Sequence, residues 1–398
     1  MKKRIVIGLL LLTAVFVWAQ EDHEVTVINI AVPVRVMEGG QFVDSLTIDD
    51  FQVFEDGIPQ PLDALYVIRN GDVARKEDSR DFQPPLRRHF ILLFQLFSYN
   101  PRLAGVVNYF FNNVYRPGDT LTIMTVQKSY TLSESAMELR SKEELSQDLI
   151  NLIRKDTLVG SSAYNTLIRE LRRIVVQLSA GGSLDGTTTA MDGSMNLELL
   201  FPRYKENLEK LEEMRLINER SFIEFAQSVK RQPGRKYVFL FYEREFRPEI
   251  NQSDLNRMAS NYQDKPQIMN HLQDLFRLYS RSTSLDSAKI SRAFGDSNIT
   301  FNLMFINKEP EQVPGIYMRE QSEDVYSAFS SLAKDTGGIV DVSMNPEPSF
   351  RKAVDSAENY YILYYRPRSA ASQGTYRQIR VLIPNKTYSV LHRPGYIR

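Results

Sequence analysis

The rhythm of hydrophobic and polar positions changes twice along the chain. Ile28, Ile30, Val32, Val34 and Val36 occupy every second position, the period of a half-buried strand, and predict one over 28–36. A Gly39-Gly40 turn, a short Gln41-Phe42-Val43 stretch and the run Phe51-Gln52-Val53-Phe54 follow, and the last leads into Asp56-Gly57, a hairpin signal. This opening block reads as all-β and is too small to bury a core alone. Residues 70–88 are charged and end near Pro84-Pro85, the composition of an interdomain linker.

Continuous apolar runs then replace alternation. Residues 90–94, 121–126, 237–241, 299–306 and 337–342 predict strands, the longer runs covered on both faces. Helical spacing lies between them, at Leu103, Val107, Phe110, Phe111 and Val114, over 141–154 and 162–178, and over 322–334. Such alternation predicts an α/β domain with a doubly wound, mainly parallel sheet. Residues 180–196 are rich in Gly, Ser and Thr and read as a mobile loop. Residues 203–231 read as one long charged helix, with Leu208, Leu211, Met214, Ile217, Phe222, Phe225, Ala226 and Val229 forming a stripe for the sheet or for a partner. Beyond Pro346 the texture turns β again, with strands over 360–365, 376–383 and 388–391. Neither terminal β block can bury itself, so the two ends are expected to pair into one discontinuous β-sandwich with the α/β domain inserted between them. The expected division is 1–19, 20–69, 70–88 as linker, 89–345 as the α/β domain, and 346–398.

Residues 1–19 have a third pattern. Lys2, Lys3 and Arg4 precede an apolar run over 5–17, and Val17-Trp18-Ala19 suits cleavage after Ala19, as in a secretory signal peptide. The run is shorter than the roughly 20 residues a spanning helix needs. The expectation is export to the periplasm, the envelope or the exterior, with no membrane span after cleavage. Basic and acidic residues number 49 each, so loss of the signal leaves a slightly acidic chain without the basic excess that nucleic-acid binding needs. The absence of cysteine excludes disulfides, thiolate metal sites, cysteine nucleophiles and a lipid anchor on cysteine.

The string from Leu46 through Asp50-Phe51 to Glu55-Asp56-Gly57-Ile58-Pro59-Gln60 resembles the opening signature of a bacterial family of exported von Willebrand factor A-related proteins. Gly374-Thr375-Tyr376-Arg377-Gln378-Ile379-Arg380-Val381 and Arg393-Pro394-Gly395-Tyr396 resemble its closing signature. The resemblance implies a von Willebrand factor A-like domain in the middle, a fold used chiefly for protein ligands. In adhesive members of that fold a divalent cation is held by Asp-x-Ser-x-Ser after the first strand, by a Thr in a later loop and by an Asp after the fourth strand. Those positions fall here on Gln95, Phe97 and Tyr99, on Ser161, and on Glu243 beside Arg244. A hard cation needs several oxygen ligands, so no metal is expected at this vestigial site.

Ser98 could partly restore the site if the loop is re-spaced, which keeps a magnesium-dependent adhesin as an alternative. Asp192-Gly193-Ser194 repeats the lost motif by chance within the expected loop. His23, His89, His271 and His392 show no metal-ligand spacing, and there is no hydrolase elbow, phosphate loop or His-Glu-x-x-His. Glu243 and Glu245 would share a strand face as a carboxylate pair or end the strand as solvated charges. Phe97, Ser98, Tyr99, Asn100, Tyr164 and Tyr242 remain as candidates for contacting a partner, although Phe97 could equally be core. The expected function is a non-enzymatic protein-interaction module without cofactor, its protein partner unidentified. A structural subunit using the 208–229 stripe and a hydrolase hidden in 180–196 are further alternatives.

Overall fold

The computed structural model describes residues 29–78, 82–84, 86–132, 134–180, 190–215, 218–280, 285–314, 316–368, 374–384 and 387–397. The expected signal segment 1–19, His23 and residues 181–189 of the expected loop therefore lie outside the described residues.

The first block forms β1 (Ile30–Glu38), β2 (Gln41–Phe42), β3 (Gln52–Glu55), β4 (Ile58–Gln60), β5 (Leu62–Arg69) and β6 (Asp72–Asp78). Asp56 and Gly57 both adopt positive φ and close the β3–β4 hairpin, as that dipeptide requires. Asn70 and Gly71 do the same between β5 and β6, so the expected linker is in its first half a paired strand. Its charges suit a linker and an edge strand alike, because β6 lies at the sheet edge, where charged side chains face water and discourage further pairing.

The middle of the chain forms β7 (Arg88–Gln95), α1 (Leu103–Tyr109), β8 (Thr120–Thr125), β9 (Ser129–Leu132), α2 (Glu134–Leu139), α3 (Lys142–Gly160), α4 (Ser162–Ser179), α5 (Ala190–Arg215) and α6 (Glu219–Lys230). It continues through β10 (Arg235–Glu243), β11 (Phe246–Glu249), α7 (Gln252–Asn261), α8 (Pro266–Tyr279), α9 (Ser287–Asp296), β12 (Ile299–Ile306), β13 (Tyr317–Glu320), α10 (Glu323–Asp335) and β14 (Val340–Ser343). The main sheet has the order β9-β8-β7-β10-β12-β14, parallel except for β9, which corresponds to the 3-2-1-4-5-6 order of a doubly wound sheet. One face is covered by α1, α3 and a later helix, the other by α6, α9 and α10. A Cβ on Gly338 would lie 1.7 Å from the Phe301 carbonyl oxygen, so only glycine lets the turn into β14 lie against β12.

The expected long helix is broken. Asn218 caps α6 by accepting from the Ser221 amide, and α5 ends at Arg215. Leu208 and Leu211 are buried with α4 and α8, while Ala226 and Val229 are buried against the main sheet. The stripe thus contributes to two internal cores, while Met214 is exposed and Ile217 lies outside the described residues. Helix α5 also reaches back to Ala190, so Asp192-Gly193-Ser194 lie on helical backbone rather than in a loop. Helices α4, α5, α7 and α8 share a core apart from the sheet, an insertion that alternation alone did not announce.

The last part forms α11 (Pro346–Glu358), β15 (Tyr360–Tyr365), β16 (Tyr376–Leu382), β17 (Ser389–His392) and β18 (Gly395–Ile397). The expected β texture from Pro346 onward is wrong for α11, which Asn345 caps and whose Phe350, Ala353 and Val354 pack on the main sheet. Strand β15 lies between β1 and β5 in the sheet β17-β1-β15-β5-β6, and β16 lies between β18 and β3 in a second sheet. Val32, Val34, Leu363 and Tyr365 of the first sheet meet Val53, Ile379 and Val381 of the second in one core, so strands from both chain ends face each other as a sandwich. No helix among the described residues is long and apolar enough to cross a membrane.

Candidate functional site

In an open α/β sheet the chain leaves neighbouring strands in opposite directions at one point, and a crevice opens there beyond their carboxyl ends. Here that point lies between β7 and β10, where Gln95 pairs in register with Tyr242. The loop after β7 carries Phe97, Ser98, Tyr99 and Asn100, and β10 ends on Glu243.

Glu243 is buried, and its two oxygens hold the loop. Oε2 accepts the Phe97 and Ser98 amides, each at 2.8 Å, and Oε1 accepts the Ser98 hydroxyl. The Lys308 ammonium, just past β12, lies 3.1 Å from Oε1 and 3.3 Å from Ser98 Oγ. Arg244, next in the chain, turns elsewhere, to Glu320 at 3.1 Å and over the Phe305 ring.

Magnesium and calcium require six or more oxygen ligands. The described donors offer one carboxylate already engaged by amides, a hydroxyl and an ammonium, a set that does not fit such an ion. Ser161, at the α3–α4 junction, is buried and accepts from Asn165 Nδ2 at 3.2 Å, while the same amide donates to the Phe97 carbonyl at 3.0 Å. Among the described residues no group of three or more His, Cys, Asp or Glu could hold a metal.

Glu245 is not on Glu243's strand, so the expected shared face does not exist. It is buried and takes Arg215 Nε at 2.8 Å, Gln321 Nε2 at 3.1 Å, Tyr164 OH at 3.4 Å and the Tyr242 hydroxyl. Burial raises its pKa from the usual glutamate value, and Arg215 opposes that shift. Burial, reinforced by the Glu245 charge, pushes the Tyr164 and Tyr242 hydroxyls well above the usual tyrosine range.

Tyr164 and Tyr242 therefore point into the interior, and the expectation that they meet a partner is corrected: each hydroxyl satisfies a buried carboxylate. Phe97 is half-buried, its ring 4.0 Å from that of Tyr164, centroid to centroid. Tyr99 is half-buried under the Arg154 guanidinium, and burial raises its pKa. Asn100 shapes the start of α1, its side-chain oxygen accepting from the Arg102 amide at 3.0 Å. The loop and α4 border a cleft of ≈ 620 Å³ lined by Phe97, Asn165, Arg169, Arg172, Arg244 and Lys308 among others. Asn165 and Arg169 are exposed at its wall, and Arg172 pairs with Glu311 at 2.7 Å.

The three described histidines lie apart from this site. His89 sits between Thr120 Oγ1 at 2.6 Å and the Pro233 carbonyl at 2.7 Å. His392 accepts the Val381 amide and faces the Arg393 carbonyl, and His271 stacks near Phe201. Sequence reasoning missed Lys308, Arg215 and Gln321. Lys308 alone had a usable signal, its place two residues beyond an apolar strand, at the same end of the sheet as Glu243.

No protein-family profile matches the chain, and no curated protein matches it. Among solved structures, the human COPII-coat protein Sec24c is similar over 78% of this chain and 43% of its own length, at 9% identity and a TM-score of 0.28. The chain thus spans less than half of that protein, and a score at that level carries no argument about fold or function.

Proposed function

We propose that this chain is an exported, non-enzymatic protein-interaction module with a von Willebrand factor A-like middle domain that works without a divalent cation. The carrying observation is the Lys308 ammonium 3.1 Å from Glu243, which supplies positive charge at the strand ends where adhesive relatives of that fold would place a metal. The strand order and the two terminal signatures support the fold reading. Against an enzyme stand the engagement of Glu243 by two amides, a hydroxyl and an ammonium, the engagement of Glu245 by Arg215, Gln321 and two tyrosine hydroxyls, and the distribution of the described histidines, none of which is paired with Ser98. The cleft walled by Phe97, Asn165 and Arg169 is the proposed contact surface, since aromatic and arginine side chains beside exposed amides suit a protein interface.

Thermal unfolding with added magnesium or manganese tests the cation-free reading. The expected result is an unchanged Tm, because an ion without a native site gives no linkage stabilisation. A rise in Tm that Glu243→Ala abolishes would overturn it in favour of the cation-dependent adhesin.

A further inference from the structure

The opposite end of the main sheet carries positive charge without matching negative charge. Arg88, on β7, is fully matched: Asp119 accepts from its Nε and Nη2 at 2.9 and 2.6 Å, and Glu358 accepts from Nη1 at 2.5 Å. Its register neighbour on β10 is Arg235, 6% exposed, with no carboxylate partner among the described residues. Arg235 reaches Thr300 Oγ1 at 3.3 Å through Nη2 and lies over the Tyr360 ring, while its Nε and Nη1 find no hydrogen-bond acceptor. Arg35, on β1 of the sandwich, is 3% exposed and donates only to Ser356, a neutral partner. Burial, together with the Arg235 charge, brings Arg35 down to about 10, so both remain charged at neutral pH.

Both guanidiniums line one small cavity between the sandwich and the α/β sheet, which Arg393 also borders with an unpartnered Nε. Its volume, ≈ 10 Å³, is about the space one water-sized body needs. Two buried like charges without a counter-charge are costly, and buried charges are as a rule paired. A ring π face offsets part of that cost at Arg235 and none of it at Arg35.

We propose that a chloride-sized inorganic anion binds between the Arg35 and Arg235 guanidiniums, fastening the β-sandwich to the α/β sheet. The unpartnered N–H groups of Arg235 supply its hydrogen bonds, and the site's size selects a halide over sulfate or phosphate.

The test is thermal unfolding of the mature chain at constant ionic strength, with chloride replacing gluconate. From about 1 to about 100 mM chloride, Tm is expected to rise by roughly 2–4 °C. Bromide should match chloride, and sulfate and phosphate should have no effect. Arg35→Gln fixes the sign: with an anion bound it lowers Tm and abolishes the chloride response, whereas relief of bare repulsion would raise Tm in every salt. Crystals grown in bromide should give an anomalous peak in the cavity, a readout that needs only the wild-type chain. A flat chloride series, a higher Tm in Arg35→Gln or no bromide peak there would overturn the proposal.

Discussion

Glu243 and Glu245 stand two residues apart and do opposite work. Glu243 has a half-exposed lysine and two loop amides as partners, so it fastens a surface loop to the strand ends. Glu245 has a buried arginine, a glutamine and two tyrosine hydroxyls, so it joins α5, α4 and the segment before α10 beneath that loop. The same side chain is adjustable where its partner is wet and rigid where its partner is dry. In water a lysine–carboxylate pair contributes little, whereas a buried pair is expensive to break because the surviving charge has nowhere to go.

The largest expected effect tests the dry side. Arg215→Met leaves Glu245 buried and uncompensated and should cost about 3–5 kcal/mol in urea unfolding. Adding Glu245→Leu should recover much of that, and a single-variant loss too small to measure would remove Glu245 from its place as the internal joint.

On the wet side, Glu243→Ala strips the acceptor from two amides and should cost about 2–3 kcal/mol. Lys308→Met removes only a half-exposed ammonium and should cost about 1 kcal/mol or less. Equal losses in the two variants would mean that the lysine, rather than the amides, holds the loop.

The smallest effect is expected in alkali. Tyr242 has a folded pKa above its unfolded one, so the stability it contributes is full below the ordinary tyrosine pKa near 10 and is lost as pH rises beyond it. Tyr242→Phe should therefore flatten the decline in Tm above about pH 10 relative to wild type. An unchanged slope would show that the hydroxyl is not held neutral by its surroundings.

Much of the scaffold was legible because periodicity is local. The alternation at Ile30, Val32, Val34 and Val36 and the apolar runs of β7, β10 and β12 announce their strands without reference to anything distant. Strand β6 and helix α11 were misread for the converse reason. A charged edge strand has the composition of a linker, and a helix that begins Pro-Glu-Pro looks like a chain break until Asn345 caps it.

What the amino-acid sequence determined by itself is the strongly periodic elements, such as β1, β7, β10 and β12, and the pairing demand of two incomplete β ends. Partnership was decided only by the tertiary structure. Lys308 reaches Glu243 across 65 residues of chain, Arg215 reaches Glu245 across 30, and Arg35 meets Arg235 in one cavity although they lie far apart in sequence. Charge carries no periodic signature, so whether a carboxylate meets a metal, a lysine or a buried arginine depends on which distant segments the fold brings within a few ångströms.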